Sequence, residues 1–333
     1  MEQVVRPQHL WDWEFLDRNI MHLMDLIAAF KKKAAQSKGM CSINFVLDGI
    51  AFAQVDWDAE KKPVVKTCDY IKTAFDPLEI LRTLSSFVKK YNCQGFLCNW
   101  VLQAKDYNLI SIPNLPVSAE ELPTALKFNI KDQIDFPVTE AVIDYFKVPY
   151  LSKSQNEELI YVAVARKNYL DLVAKLIVES GLILNVIEIP EFAMRNLGEL
   201  FAEKGQGVGI IESSGSLGAK LIIMRDGFVY LVRKIDVELH KSQSNEELHM
   251  FITEIQRSCD YYENGLGQAP LSKFLLISPD TSLAGQLSQG LGLPVESMEL
   301  SSKLMAPHTT ESGRLQQCFY AIGGALRQDE VSQ

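Results

Sequence analysis

The chain has 333 residues, 47% of them hydrophobic and 23% charged, with a formal net charge of −9. That is the balance of a folded protein too long for one ordinary core, so two domains, or one domain with an insertion, are expected. The acidic total speaks against a nucleic-acid partner, which needs a basic face; no apolar run reaches the length of a membrane span, and the first residues are not a signal peptide.

Six cysteines (Cys41, Cys68, Cys93, Cys98, Cys259 and Cys318) are scattered without a CxxC pair, the usage of a reduced compartment. Five histidines (His9, His22, His240, His249 and His308) never meet at ligand spacing, so no metal site is expected.

In chain order, residues 1–38 stand apart as an amphipathic helical extension. Leu16, Ile20, Leu23, Ile27 and Phe30 recur on one helical face, and Lys31, Lys32 and Lys33 close it. From residue 39 two stretches share one order of elements. The first predicts strands over Ser42–Leu47, Gly49–Asp56 and Val64–Ile71, a helix over Asp76–Lys90 and a strand over Gly95–Leu102. The second predicts strands over Gly207–Glu212, Gly218–Met224 and Gly227–Ile235, a helix over Asn245–Tyr262 and a strand over Lys273–Ser278. The hairpin signals "LDG" and "RDG" and the β-branched runs support these strands. A βββαβ order occurring twice is a structural repeat of the ribonuclease-H-like or actin-like kind.

Between the repeats, "SAEELPTALKFNIKDQIDF" reads as a helix with a Ser118–Glu121 capping box, followed by two strands, a helix stopped by Gly181, and the strand "LILNVIEI". The division expected is therefore an α/β protein with a first half at 39–108, an inserted α+β subdomain at 109–189, a return helix at 190–206 ending at Gly205, and a second half at 207–333.

"ISIPNLPVSAEELPTALKFNIKDQIDFPVTEAVIDYF", "FITEIQRSCDYYENG", "LSKFLLISPDTSLAGQLSQGLGLPVESMEL" and "CFYAIGGALR" resemble, in order and spacing, the PilM-type proteins of type IV pilus systems. "EIQRSCDYY" and "YAIGGALR" are the most specific stretches, and the short turn after "SINFVLDG" is closer to the MSHA-type relative, MshI. The resemblance covers roughly residues 40 to 328. It implies an actin-like fold with a small inserted subdomain, a place at the cytoplasmic face of the bacterial inner membrane, and a partner whose short N-terminal cytoplasmic tail docks on the protein. That partner would be a PilN-like bitopic protein, with a pilus motor ATPase as a further one.

In that family the first hairpin carries an acidic "GID" and the second a "DIG", which bring Asp near metal-bound phosphates and let glycine N–H groups approach them. Here the first aligns with Ser42, Ile43 and Asn44, and the second with Glu212, Ser213 and Ser214, with Gly215 one place late. The Gly-Gly that should follow Ser278 is replaced by Pro279 and Asp280. Asn44 lacks the charge that would hold magnesium, Pro279 removes an N–H donor, and Asp280 adds negative charge where a nucleotide would lie. The polar turn in "VGIIESSGSLGAKLII" is therefore read as the remains of a nucleotide site, with no cofactor and no catalysis expected.

A rival reading keeps ATP with magnesium as a gate on assembly. Another takes the chain as the actin-like cytoplasmic component of a type II secretion system; that component should continue into a transmembrane helix, and the chain closes on "LRQDEVSQ". No GxxxxGK[ST], GxSxG or HExxH motif is present. For the partner tail, Ile134, Phe136 and Pro137 are expected to line a groove beside "SIPNLP", although Phe136 equally suits the core of the insertion. The extension, with Trp11, Trp13 and Phe30 as apolar anchors and Lys31–Lys33 as its basic end, suits peripheral membrane contact, docking on protein, or folding back on its own domain.

Overall fold

The computed structural model describes residues 39–149, 159–213, 218–237, 244–280, 282–306 and 312–328. The N-terminal extension, with Trp11, Trp13, Phe30 and Lys31–Lys33, and the turn residues Ser214 and Gly215 lie outside the described residues.

The first sheet is built from β1 (Met40–Val46), β2 (Gly49–Trp57), β3 (Pro63–Lys72), β4 (Leu97–Val101) and β8 (Ile183–Glu188) in the order β3-β2-β1-β4-β8. The second is built from β9 (Gly207–Ser213), β10 (Ala219–Arg225), β11 (Phe228–Ile235), β12 (Leu271–Ile277) and β13 (Val295–Ser297) in the order β11-β10-β9-β12-β13. The two orders are the same. A third sheet, β5 (Tyr107–Pro113), β6 (Ala141–Lys147) and β7 (Leu159–Arg166), runs β5-β7-β6.

Local chemistry sets the elements. Helix α1 (Pro77–Tyr91) starts where the Asp76 carboxylate accepts from the N–H groups of Leu78 and Glu79, with Pro77 in its first turn, and stops at Asn92 in the left-handed region. The turn between β10 and β11 is Asp226–Gly227, both at positive φ (49° and 77°), which matches the twist of a two-residue hairpin. Helix α5 (Asn245–Asp260) opens on a Ser244–Glu247 capping box and runs on into a wider turn, Tyr261–Gly265.

Each half continues beyond the βββαβ order with helix, strand, helix. In the first half these are α3 (Lys167–Glu179), β8 and α4 (Pro190–Gly198). In the second they are α6 (Leu283–Leu291), β13, and the pair α7 (Ser312–Gln317) and α8 (Phe319–Ala325). This duplicated arrangement is an actin-like fold.

Three expectations need correction. The insertion is narrower than 109–189: β8 pairs in parallel with β4, and Leu170, Val173, Ala174 and Ile177 of α3 pack in the first-half core with Ile43, Phe52, Leu84 and Phe87. The inserted unit is thus β5, α2 (Leu122–Ile130), β6 and β7. Helix α2 is shorter than the sequence pattern suggests. The Ser118–Glu121 box does form, Glu121 N–H to Ser118 Oγ at 3.3 Å and Ser118 N–H to Glu121 Oε2 at 3.2 Å, but it closes the turn before Pro123 and the helix stops at Ile130. The return helix ends at Gly198 rather than near Gly205, because the chain leaves it through tight turns at Leu200 and Phe201.

The halves share a core. Ala51, Ala53, Val55 and Val65 from the inner face of the first sheet pack in one cluster with Met194 and Leu197 of α4, Ala321 and Ile322 of α8, and Val208, Ile210 and Ile222 of the second sheet. Outer faces are covered separately, by α1 and α3 on one side and by α5 and α6 on the other. Among the described residues no helix is long and apolar enough to cross a membrane, and no group of His, Cys, Asp or Glu is placed to hold a metal ion.

Candidate functional site: the cleft between the halves

The end of β1, the end of β9 and the end of β12 point into one cleft of about 420 Å³, lined by Val46, Leu47, Asp48, Glu212, Ile277 and Tyr320. β9 and β12 run parallel, so their carboxyl ends share one side, and the packing of the two sheets brings the end of β1 to them. The chemistry they carry differs from loop to loop.

Asn44 is 3% exposed, and its Nδ2 donates to the carbonyls of Val101 at 3.0 Å and Leu102 at 3.4 Å. An amide can donate there; a carboxylate would set its charge against two carbonyl oxygens. Asn44 is a tie between β1 and β4. At the tip of the same hairpin Leu47 is 94% exposed, and Asp48 accepts from Tyr70 Oη and lies 3.2 Å from Lys72 Nζ. The Tyr70 hydrogen bond, then Lys72, hold Asp48 below the usual carboxylate range.

On the second half, the Glu212 carboxylate accepts from Tyr320 Oη of α8. Burial, then the Glu212 charge, pushes the Tyr320 phenol well above its ordinary value, so it stays a donor. Ser213 is buried beside it in the ladder with β10. After β12 the loop closes on itself. Asp280 N–H donates to Ser278 Oγ at 3.1 Å, and Asp280 Oδ1 accepts from Ser282 N–H at 2.9 Å and Ser282 Oγ at 2.7 Å. With Pro279 lacking a donor, these N–H groups serve the loop rather than the cleft.

Behind the cleft, near enough for its charge to act on Tyr320, lies a buried carboxylate that sequence reasoning missed. Glu191, in the first turn of α4 and 2% exposed, accepts from Tyr107 Oη at 2.5 Å and from Lys220 Nζ at 2.7 Å. One side chain thereby joins the first half, the insertion and the second half. Lys220 on β10 is also the register partner of Glu212. Nearby, Tyr161 Oη of the insertion accepts from Val232 N–H at 2.8 Å, and Phe146 stacks on Tyr161 at 5.1 Å and meets Phe192 of α4 at 4.9 Å.

Helix α8 fits the first sheet only because it carries Gly324. A Cβ there would lie 2.4 Å from Ser42 Oγ and 2.5 Å from Val101 Cγ2. Asn99 Nδ2 donates to the Gly324 carbonyl at 2.9 Å, and Arg327 pairs with buried Glu188 at 3.0 Å. Burial raises the Glu188 carboxyl even against Arg327. The signals for these contacts were present but unspecific: Tyr320 and Gly324 sit in the quoted "YAIGGALR", and Glu191 follows the helix-starting Pro190.

The expected peptide anchor needs correction. Phe136 packs in the core of the insertion with Ile112, Leu126, Ile130 and Val162, and the Arg166 guanidinium lies over its ring at 4.2 Å while pairing with Asp135 at 3.3 Å. Ile134 is half-buried against the same cluster and Pro137 is exposed. Only Pro137 of the three presents itself to solvent.

No family model matches the chain, and neither does any curated protein. Solved structures do. A chain of a PilM–PilN type IV pilus biogenesis complex aligns with a TM-score of 0.62 at 17% identity, covering 86% of this chain and 97% of that one. The cytoplasmic domain of EpsL, an inner-membrane component of the Vibrio cholerae type II secretion system, aligns at 0.44 with 12% identity, over 84% of this chain and 93% of that one. A Bacteroides thetaiotaomicron protein with an actin-like ATPase fold and unknown function aligns at 0.46 with 10% identity, over 87% and 98%. The chain shares its fold with the first.

Proposed function

We propose that the chain is a non-catalytic, actin-like scaffold of a type IV pilus assembly machine of the MSHA-like kind. In this reading it works at the cytoplasmic face of the inner membrane, holds the N-terminal cytoplasmic tail of a PilN-like bitopic protein, and links it to the motor ATPase. The observation that carries the reading is the fold match over 97% of a chain from a PilM–PilN complex. The cleft supports the non-catalytic part. Asn44, Glu212 and Asp280 are engaged by protein partners, and a triphosphate entering there would meet the Glu212 and Asp48 carboxylates.

For the tail, the insertion supplies an edge strand. β5 ends its sheet, and an extended peptide can add to such an edge with backbone hydrogen bonds and side-chain pockets. Ser111 is exposed on the β5 face that carries Leu109 toward the two halves, opposite Tyr161 in register, and it opens the segment "SIPNLP". The docking surface is placed there, with Phe136 supporting it from the core.

Two measurements test this. Calorimetry of the full chain with magnesium and ATP should show no heat of binding; micromolar affinity, about −8 kcal/mol, returns the reading to an ATP-gated protein. Affinity co-purification from inner membranes of pilus-forming cells should recover a bitopic protein with a short N-terminal cytoplasmic segment. Ser111→Arg should reduce that recovery about tenfold, roughly 1.4 kcal/mol, with an unchanged melting temperature. Recovery unaffected by Ser111→Arg moves the docking surface elsewhere.

A further inference from the structure

The C-terminal segment lines the outer edge of the first sheet. Val65 N–H donates to the Met305 carbonyl at 2.8 Å, and Arg314 of α7 donates to the Tyr70 carbonyl at 3.1 Å and lies 3.9 Å from the Asp69 carboxylate. Cys318, at the junction of α7 and α8, is fully buried and its thiol donates to the Asp69 carbonyl at 3.2 Å. That contact sets it beside Cys68 of β3, which is half-buried and packs against the core cluster that holds Cys318.

The pair is chemically unequal. The neighbouring Cys318 thiol, then the Arg314 cation, lower the Cys68 thiol below its ordinary value against burial and Asp69. The neighbouring Cys68 thiol, then burial, push Cys318 up. Cys259, the other half-buried thiol among the described residues, is pushed up to about 12 by burial and by Glu263 and Asp260. Cys41 and Cys98, register partners on β1 and β4, are both fully buried and closed off from solvent. One thiol is thus open to solvent beside residues that hold the Arg314 cation, and a second is buried in the cluster it packs against.

We propose that Cys68 and Cys318 are a peroxide-oxidisable pair, in which Cys68 attacks and Cys318 resolves. The Cys68 thiolate attacks one oxygen of hydrogen peroxide; the O–O bond breaks, and hydroxide leaves and takes up a proton as water. The resulting sulfenic acid is attacked by Cys318 sulfur, the S–O bond breaks, and the Cys318 proton leaves with the hydroxyl as a second water. Peroxide is reduced and the two thiols are oxidised to one disulfide. The disulfide ties the α7–α8 junction to the edge of the first sheet, and a thiol reductant releases it.

The test is disulfide mapping by mass spectrometry on the folded full chain after brief peroxide exposure and alkylation. A Cys68–Cys318 peptide is expected as the main oxidised species. Cys318→Ala should instead accumulate a Cys68 sulfenic acid that dimedone traps, and Cys68→Ala should leave Cys318 reduced. On the untreated native chain, iodoacetamide near neutral pH should label Cys68 more than ~10-fold faster than Cys259. The mapping on the unaltered chain stands alone if either variant fails to fold. A Cys41–Cys98 link, a mixture of pairings, Cys68 sulfinic acid with Cys318 still free, or a chain left reduced where a thiol peptide in the same tube is oxidised would each overturn the proposal.

Discussion

The two halves repeat one order of elements but finish their cleft-facing strands differently. In the first half, β1 is tied within its own sheet by the Asn44 amide, and the hairpin tip carries exposed Leu47. In the second, the Glu212 carboxylate near the end of β9 accepts from Tyr320 of α8 in the same half, and β10 sends Lys220 to Glu191 of α4. The connections differ as well. Between β4 and α3 the first half holds the whole insertion, whereas the second half passes from β12 to α6 through a short self-closed loop. A duplicated fold can therefore keep its hydrophobic plan while the polar groups at equivalent positions take unlike jobs. On one side Asn44 holds a sheet together; on the other Glu212 ties its strand to a helix of the same half and Lys220 ties the halves together.

The sharpest way to break this contrast is to remove the shared carboxylate. Glu191→Ala leaves Lys220 without its buried partner and should cost about 3–5 kcal/mol in urea unfolding. Pairing Glu191→Gln with Lys220→Met should recover much of that, and a double-mutant cycle measures the coupling. If the single variant were as stable as the parent, the halves would not be joined through this group.

Phe136→Ala tests the insertion separately and should cost about 3–5 kcal/mol at that subdomain, the usual range for a buried phenylalanine. Hydrogen exchange should rise over β5, β6 and β7 and stay unchanged in the two large sheets. Faster exchange throughout would show that the insertion and the halves unfold as one unit.

Gly324→Ala should cost about 1–3 kcal/mol, since the new methyl would press on Ser42 and Val101. Alanine otherwise favours a helix, so a stabilised variant would mean that α8 has room to shift.

The smallest effect concerns pH. The Glu188 carboxyl is raised in the folded state, chiefly by burial, so the native chain binds its proton at a higher pH than the unfolded chain does. Its contribution to stability is full below the unfolded value and is lost as pH rises through the folded one. Stability measured upward from pH 4.5 should therefore fall more steeply in the parent than in Glu188→Gln. The difference cannot exceed about 1.4 kcal/mol per pH unit, the limit for one proton. Equal slopes would show that Arg327 fully offsets the burial.

Much of the fold was legible because it is written in short-range patterns. Strand alternation, the Asp76 cap and Pro77, and the Asp226–Gly227 turn each act within a few residues, and the twice-repeated order followed from them. The candidate site was legible only as an aligned set of loops. Asn44, Glu212 and Asp280 were singled out as departures from the family's loops, and their partners Val101, Tyr320 and Ser282 were not named by the sequence pattern.

Sequence by itself determined the type and order of the βββαβ elements in both halves, since helix and strand periodicity, caps and turns depend on neighbours in the chain. Tertiary structure decided that β8 and α3 belong to the first half, that Phe136 fills a core, and that Glu191 receives Tyr107 and Lys220. Those outcomes depend on which apolar faces meet and on which charges are brought out of water together. Groups far apart along the chain settle that only once the sheets have packed.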